Sequence, residues 1–408
     1  METQPLTKDR SIETNKVLLI IGILIVAVNL RPAITAVGPL ISDIRTDMGI
    51  TNGVAGIITT LPLLAFGVFS LAAPRLGYRF GNEMMIFAGL FTLLFGIIVR
   101  STGFTATLFL GTAFVGIGIA IANVLLPSIV KTKYPGKIGL ITGAYTTTMS
   151  AFAAIGTGVS IPLATGLNLG WEGALLFWSG LAVIGLVLWF PQVREARSAK
   201  EKADAAGKNK SKLPVPGTTI WRSSLAWQVT LFMGLQSFLF YGLITWLPVI
   251  LHNSGGLPLS FSAWVVSIMQ IAGLPMTFLT PILATRLKNQ QGIVTMIAGL
   301  YVIGFIGLLV SEATWLFVVS AILIGLAQGS SISLALTMLG IRAANGKQAA
   351  ELSGMAQSVG YGLAAVGPII IGSILDITAS GTIAVYVFIG VAVLKLFAGL
   401  GAARDRTV

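Results

Sequence analysis

Residues 17–40 read VLLIIGILIVAVNLRPAITAVGPL, and this stretch decides the kind of fold. A helix needs about 20 apolar residues to cross the hydrocarbon core of a bilayer, and the run supplies them. A signal-peptide core holds only about 7–15 apolar residues and ends in a small-residue cleavage site, which is not evident here. The segment is therefore expected to stay as a transmembrane helix. The same ruler divides the rest of the chain into Gly53–Ala73, Met84–Val99, Thr105–Val130, Ile138–Pro162, Gly173–Phe190, Leu225–Leu251, Ala263–Leu283, Gly292–Val310, Thr314–Leu339, Leu352–Leu375 and Ile383–Ala402. The expected class is an all-α membrane protein with twelve transmembrane helices.

Composition points the same way. The 408 residues are 55% hydrophobic and 10% charged, whereas a soluble domain carries about 25% charged residues because its surface must be wetted. The 48 glycines exceed the usual share of about 7%. In a bilayer, small residues let helices approach closely, and Gly139/Gly143 and Gly325/Gly329 have the spacing for it. The net charge of +12 does not read as a nucleic-acid footprint, because Lys and Arg are scattered over short loops rather than gathered in one stripe. With no Cys and one His, disulfides, thiolate metal sites and Cys–His nucleophiles are excluded. No cofactor or metal is expected. A membrane enzyme would need His, Asp, Glu or Cys clustered at one depth, and a receptor would be expected to carry a signalling domain; the chain offers neither.

Loop charge sets the orientation. All Lys and Arg except Arg31, Arg45, Arg100 and Lys395 fall in alternate segments: the N-terminal tail, the loops holding Arg75 and Arg79, Lys131 to Lys137, Arg194 to Arg222, Arg286 and Lys288, Arg342 and Lys347, and the C-terminal tail. Basic loops stay cytoplasmic, so both termini are expected there. The expected organisation is a tail over 1–16, a six-helix half over 17–190, a basic linker over 191–224, a second half over 225–402 and a tail over 403–408. The linker is polar and reads as a solvated connector, partly disordered or resting on headgroups.

The halves repeat one another. Pro74 and Arg79 after helix two correspond to Pro281 and Arg286 after helix eight. Thr35-Ala36-Val37-Gly38-Pro39 in helix one corresponds to Ile244-Thr245-Trp246-Leu247-Pro248 in helix seven, and Thr142-Gly143 in helix five to Ser353-Gly354 in helix eleven. The order and spacing of these matches are nearly constant. Two parallel six-helix halves joined by a basic loop is the plan of major facilitator transporters, in which solute sits near the midplane.

Few groups in the spans carry chemistry. The carboxylates fall in tails, loops or near span ends, which leaves Asp43, Asp47 and Glu351 as weak candidates for coupling to a proton. Arg31 lies near the middle of helix one, where an arginine costs about 2.5–3.5 kcal/mol on insertion scales, so such a residue usually faces the bundle interior or a watery cavity. Its guanidinium is a rigid fork of donors suited to carboxylate, nitro or small linear anions. It is read as a substrate anchor, with a purely structural arginine as the bland alternative; Asn29 shares its helix. Pro32 removes a backbone donor and kinks the helix, and Pro39, Pro127 and Pro248 are candidate kinks or gates. Asn123, Gln236, Tyr241, Gln270, Gln328, Gln357 and Tyr361 are uncharged polar groups within spans. They can orient a polar solute or equally bond helix to helix. Trp246 reads as an interfacial anchor and His252 as a passive loop residue.

Together, Asn29-Leu30-Arg31-Pro32, Thr60-Leu61-Pro62, Asn123-Val124-Leu125-Leu126-Pro127, Gly170-Trp171, Trp246-Leu247-Pro248, Leu352-Ser353-Gly354-Met355 and Gly360-Tyr361-Gly362 resemble the cyanate permease / 2-nitroimidazole transporter family. That family is a bacterial branch of the major facilitator superfamily. The resemblance implies a major facilitator fold, alternating access, and a place in the bacterial cytoplasmic membrane. It also implies a small polar or anionic solute carried by a secondary active transporter, here read as a monomer. The superfamily's loop after helix two usually reads Gly-x3-Asp-Arg-x-Gly-Arg. Here Pro74 stands at the Gly position and Tyr78 at the Asp position, while Arg79 and Gly81 are kept, so the cytoplasmic latch must differ. The alternative reading is a proton-coupled exporter of drugs or metabolites, which needs a protonatable group deep in the membrane.

Overall fold

The computed structural model describes residues 6–50, 52–205, 219–310, 313–378 and 380–408. Among these residues every regular element is helical: α1 (Leu6–Asn29), α2 (Pro32–Thr35), α3 (Val37–Met48), α4 (Asn52–Phe80), α5 (Asn82–Arg100), α6 (Thr105–Lys133), α7 (Ile138–Ile161), α8 (Gly170–Leu176), α9 (Ser179–Ala205), α10 (Thr219–Arg222), α11 (Ser224–Gly255), α12 (Leu259–Arg286), α13 (Gln291–Val310), α14 (Thr314–Ile341), α15 (Gly346–Thr378) and α16 (Gly381–Ala402). Twelve stretches of the described chain are long and apolar enough to cross a membrane.

The first and sixth spans depart most from the expected boundaries, and α4 and α15 also run past theirs, to Phe80 and from Gly346. The first span is broken into α1, α2 and α3, and α3 runs on to Met48. The sixth is split at Phe177 and Trp178 into α8 and α9, and α9 continues through Pro191 to Ala205. The beginning of the expected linker is therefore a helical extension. Nothing in 191–205 but Pro191 opposes a helix, and Arg197 and Glu201 pair one turn apart at 3.0 Å. The rest of that linker, 206–218, lies outside the described residues. Helix α1 likewise starts at Leu6, inside the expected N-terminal tail.

Contacts divide the chain into two compact units. One comprises Met1–Pro62, Arg75–Leu126 and Thr148–Val215; the other comprises Leu63–Pro74, Pro127–Thr147 and Pro216–Val408. In the first, α1 and α5 both pack on α9. Glycines set the spacing of α5 and α6: a methyl group on Gly89 would lie 2.9 Å from the Gly118 carbonyl oxygen, and one on Gly96 would lie 2.6 Å from the Val115 nitrogen.

In the second unit, α11 packs on α15 and α16, and α12 on α14. The α12–α14 crossing places Gly325 and Gly329 so that a methyl group on either would be 2.0 Å from a main-chain oxygen, of Met269 and Gly273 respectively. Two further seams in this unit use the repeated motifs. Gly139 and Gly143 of α7 lie against Pro281, Thr285 and Phe278 of α12. Gly354 of α15 lies against Ser70 and Pro74 of α4, and the Ser358 hydroxyl donates to the Gly67 carbonyl at 2.5 Å. The proline motif of one sequence half thus meets the glycine motif of the other, twice.

Loop positions follow local chemistry. Gly81 starts α5 at φ +93°, a conformation that favours glycine, which accounts for its place in the loop motif. Arg79 is exposed with its guanidinium 5.2 Å from the Phe80 ring, and Arg286 is exposed in the last turn of α12. Arg342 follows α14 and donates to the carbonyls of Ala402 at 2.8 Å and Ala403 at 3.0 Å and to the Gln290 side chain, tying a cation to the end of α16. Burial lowers its ordinary value while Asp405 raises it.

Candidate functional site

Arg31 sits where the first span breaks. Pro32 has no N–H to give the Val28 carbonyl, and its ring would collide with that group in a continuous helix. The chain ends α1 at Asn29, turns with Leu30 N–H donating to the Ala27 carbonyl at 3.2 Å, and restarts as the single turn α2. Arg31 precedes α2 at φ −124°, ψ −46°, outside helical geometry. The sequence leads one to expect a kink; the structure makes a full interruption. The other prolines do less. Pro39 lies in the first turn of α3, where a missing donor costs little, and α6 and α11 continue through Pro127 and Pro248.

The short α2 is held from two sides. The Arg100 guanidinium of α5 donates through Nη1 to the Ala33 carbonyl. From α7, the Ala153 carbonyl accepts from the Thr35 hydroxyl at 3.0 Å, and a methyl group on Gly156 would come within 2.9 Å of Pro32 Cα. The result is that Leu30, Pro32 and Ala33 are buried while Arg31 between them stays partly exposed. Arg100 belongs by sequence to a loop, yet it is 1% exposed, and its Nε and Nη2 have no hydrogen-bond partner among the described residues.

Asn29 does not share the setting of Arg31. Its amide donates to the carbonyls of Ile25 at 2.8 Å and Leu181 at 3.1 Å, bracing α1 against α9. The gap bounded by Asn29, Pro32, Ala33, Ile97, Trp178 and Leu181 is too tight for a water molecule. Asn123 is buried on α6, one turn before Pro127.

The remaining amide and tyrosine candidates lie in the second unit. Helices α11 and α15 cross closely at Gly234 and Gly360, where a methyl group on Gly234 would lie 3.4 Å from Gly360 Cα. Gln236, Gln357 and Tyr361 flank that crossing. Gln236 accepts from the Ser237 hydroxyl at 3.3 Å, Gln357 donates to Ser353 Oγ at 2.8 Å, and the Tyr361 ring lies 4.6 Å from Phe66. Tyr241 is partly exposed and edge-on to Phe240. Gln328 is buried on α14 with its Nε2 unpartnered among the described residues, whereas Gln270 is exposed on α12 beside the exposed Ile271. Trp246 is a packing residue, its Nε1 donating to the Pro368 carbonyl at 2.7 Å. Of the acidic candidates, Asp47 accepts from Trp171 Nε1 at 3.0 Å, Glu351 pairs with Lys347 at 3.9 Å, and Asp43 is exposed.

Lys395 escapes a search for carboxylates and amides. It is 1% exposed on α16, donates to Ser331 Oγ of α14 at 2.9 Å, and lies 4.0 Å from the Tyr301 ring of α13. The signal available in the sequence is a lysine in a span that carries no other charge.

The comparisons with known proteins agree with this architecture. The model of the Major Facilitator Superfamily matches residues 23–368. An uncharacterized transporter of Bacillus subtilis (strain 168), YycB, is 52% identical over 96% of this chain and 94% of its own. A 2-nitroimidazole transporter of Escherichia coli (strain K12) is 40% identical over 97% of each chain. Among solved structures, the proton:xylose symporter XylE superposes with a TM-score of 0.77, covering 96% of this chain and 98% of that one at 13% identity, a likeness of fold. The chain belongs to the Major Facilitator Superfamily and is a multi-pass membrane transporter of a small solute.

Proposed function

We propose that the solute is a small anion, or a planar nitro compound with equivalent acceptors, anchored by the Arg31 guanidinium. The observation that carries this reading is the setting of Arg31: mid-span, outside the helix, and partly exposed between buried neighbours. A guanidinium at that depth costs several kcal/mol unless it meets polar partners. A break in the helix also frees main-chain groups that water or solute can use, which is where discontinuous membrane helices bind ligands. The fork of donors fits two acceptor oxygens in one plane, as in a nitro group or nitrate. The relative that carries 2-nitroimidazole suits this chemistry, and so does the resemblance to cyanate permeases.

The proposed location is the bacterial cytoplasmic membrane with both termini inside, on the strength of the basic loops and the bacterial relatives. The α7–α12 and α4–α15 seams lie toward the helix ends that carry Arg75, Lys137, Arg286 and Lys347. With those ends inside, the seams lie toward the cytoplasmic side, and alternating access would require them to part.

The test is uptake by proteoliposomes of radiolabelled cyanate, nitrate and 2-nitroimidazole, with xylose as a neutral control. One of the acceptor-bearing solutes should enter in a saturable manner. Arg31→Ala should abolish that entry while the purified protein keeps its thermal transition. Saturable uptake undiminished in Arg31→Ala would remove the anchor assignment.

A further inference from the structure

We propose that Lys395 is the binding site of a coupling proton, held inside the second unit and linked to the transport machinery through α14. The proposal rests on the transport reading above.

The site is enclosed and built by four helices. Nζ of Lys395 donates to Ser331 Oγ at 2.9 Å and lies 4.0 Å from the Tyr301 ring and 5.7 Å from the Phe232 ring. Gly399, one turn on along α16, lets Phe232 close in: a methyl group there would be 2.8 Å from its Cδ2. Tyr301, Phe305 and Phe388 continue the aromatic wall as a stack with centroid spacings of 5.7 and 5.8 Å.

A buried ammonium is normally kept by a carboxylate. No ion pair to Lys395 exists among the described residues; α11, α13 and α14 present Phe232, Tyr301 and Ser331, of which only Tyr301 is titratable. Two aromatic faces and one hydroxyl stabilise a cation, but far less than a charge partner does. Both protonation states are hydrogen-bonded at this spot. The ammonium donates to Ser331 Oγ; the neutral amine offers its lone pair to the Ser331 hydroxyl. The step is R–NH2 + H+ → R–NH3+, with the proton taken from water on one side of the membrane and returned to the other.

The link to solute runs along α14. Ser330 and Ser333 donate back to the carbonyls of Leu326 and Gly329 at 2.8 Å, whereas Ser331 is the one that meets Lys395. One turn earlier stands Gln328, buried with Nε2 unpartnered among the described residues. A proton on Lys395 therefore changes the hydrogen bonding of the helix that carries that unsatisfied amide.

The experiment uses the full chain in proteoliposomes loaded with a pH-sensitive dye, with 2-nitroimidazole and nitrate as probes. Counterflow exchange at equal pH reads transport alone; accumulation driven by an imposed pH gradient, with the dye signal, reads coupling. Lys395→Met should keep counterflow and lose gradient-driven accumulation by an order of magnitude. Lys395→Arg, a permanent cation, should lose it likewise. Gradient-driven accumulation retained in Lys395→Met overturns the proposal, as does a wild type that exchanges solute and shows no proton movement. Loss of counterflow in the wild type would instead count against the transport reading. If Lys395→Met fails to fold, Ser331→Ala and Tyr301→Phe should shift the pH midpoint of uptake, and an unshifted midpoint in both refutes the site.

Discussion

Arg31 and Lys395 are both cations set deep in spans, and the molecule treats them in opposite ways. Around Arg31 the backbone gives way: the helix stops, turns and restarts, and the side chain is left partly exposed. Around Lys395 the backbone is an unbroken helix, and the side chains of three neighbouring helices enclose it. A charge can be accommodated in a membrane protein by opening the main chain or by lining a closed chamber. The proposed solute anchor uses the first solution, and the proposed proton site uses the second.

The largest effect should come from Arg31→Lys, which keeps the charge but loses the planar fork. Hydrogen bonds to charged groups contribute about 1.5–3 kcal/mol, so apparent affinity for the solute should fall on the order of 10–100-fold. Uptake kinetics check it, and an unchanged KM would mean that the charge alone matters. Next is Arg100→Leu, which strips the donor from the Ala33 carbonyl. An unsatisfied buried carbonyl costs about 1–3 kcal/mol, but release of a buried guanidinium with two unpartnered nitrogens among the described residues offsets it. The readout is therefore a raised KM with a smaller change in the thermal transition, and Arg100→Lys should partly restore KM. Thr35→Val removes one bond from α2 to α7 and should cost about 0.5–1.5 kcal/mol by thermal unfolding in micelles, with little change in KM. The smallest loss of stability is expected from Lys395→Met. Replacing a poorly paired buried ion by an apolar side chain of similar volume is often neutral or stabilising, by up to about 4 kcal/mol. A large loss of stability there would make Lys395 a structural cation and erase the contrast with Arg31.

What the sequence makes legible follows from how local each signal is. The spans are legible because hydropathy over about 20 residues is a property of contiguous chain, and the family resemblance rests on short motifs such as Asn29-Leu30-Arg31-Pro32. The glycine pairs Gly139/Gly143 and Gly325/Gly329 were readable as close-packing positions, and both sit on neighbouring main chain. Arg100 was not legible as a buried group, because an arginine at a span end reads equally well as snorkelling to the interface. The Lys395 chamber draws Phe232, Tyr301 and Ser331 from three separate helices, so no window of sequence contains it. The amides divide for the same reason: periodicity does not tell buried Gln328 from exposed Gln270 when both flanks are apolar.

The glycine seams have a consequence for how such a protein wears its mutations and its motion. Where Gly139 and Gly143 meet α12, and Gly354 meets α4, the glycines rest on the main-chain oxygens of Pro281, Phe278 and Ser70, with the short side chains of Thr285 and Pro74 beside them. If such a joint parts during transport, few long side chains need to change conformer for it to reseat. It tolerates no added methyl group, and one alanine would jam it as surely as a wedge under a door.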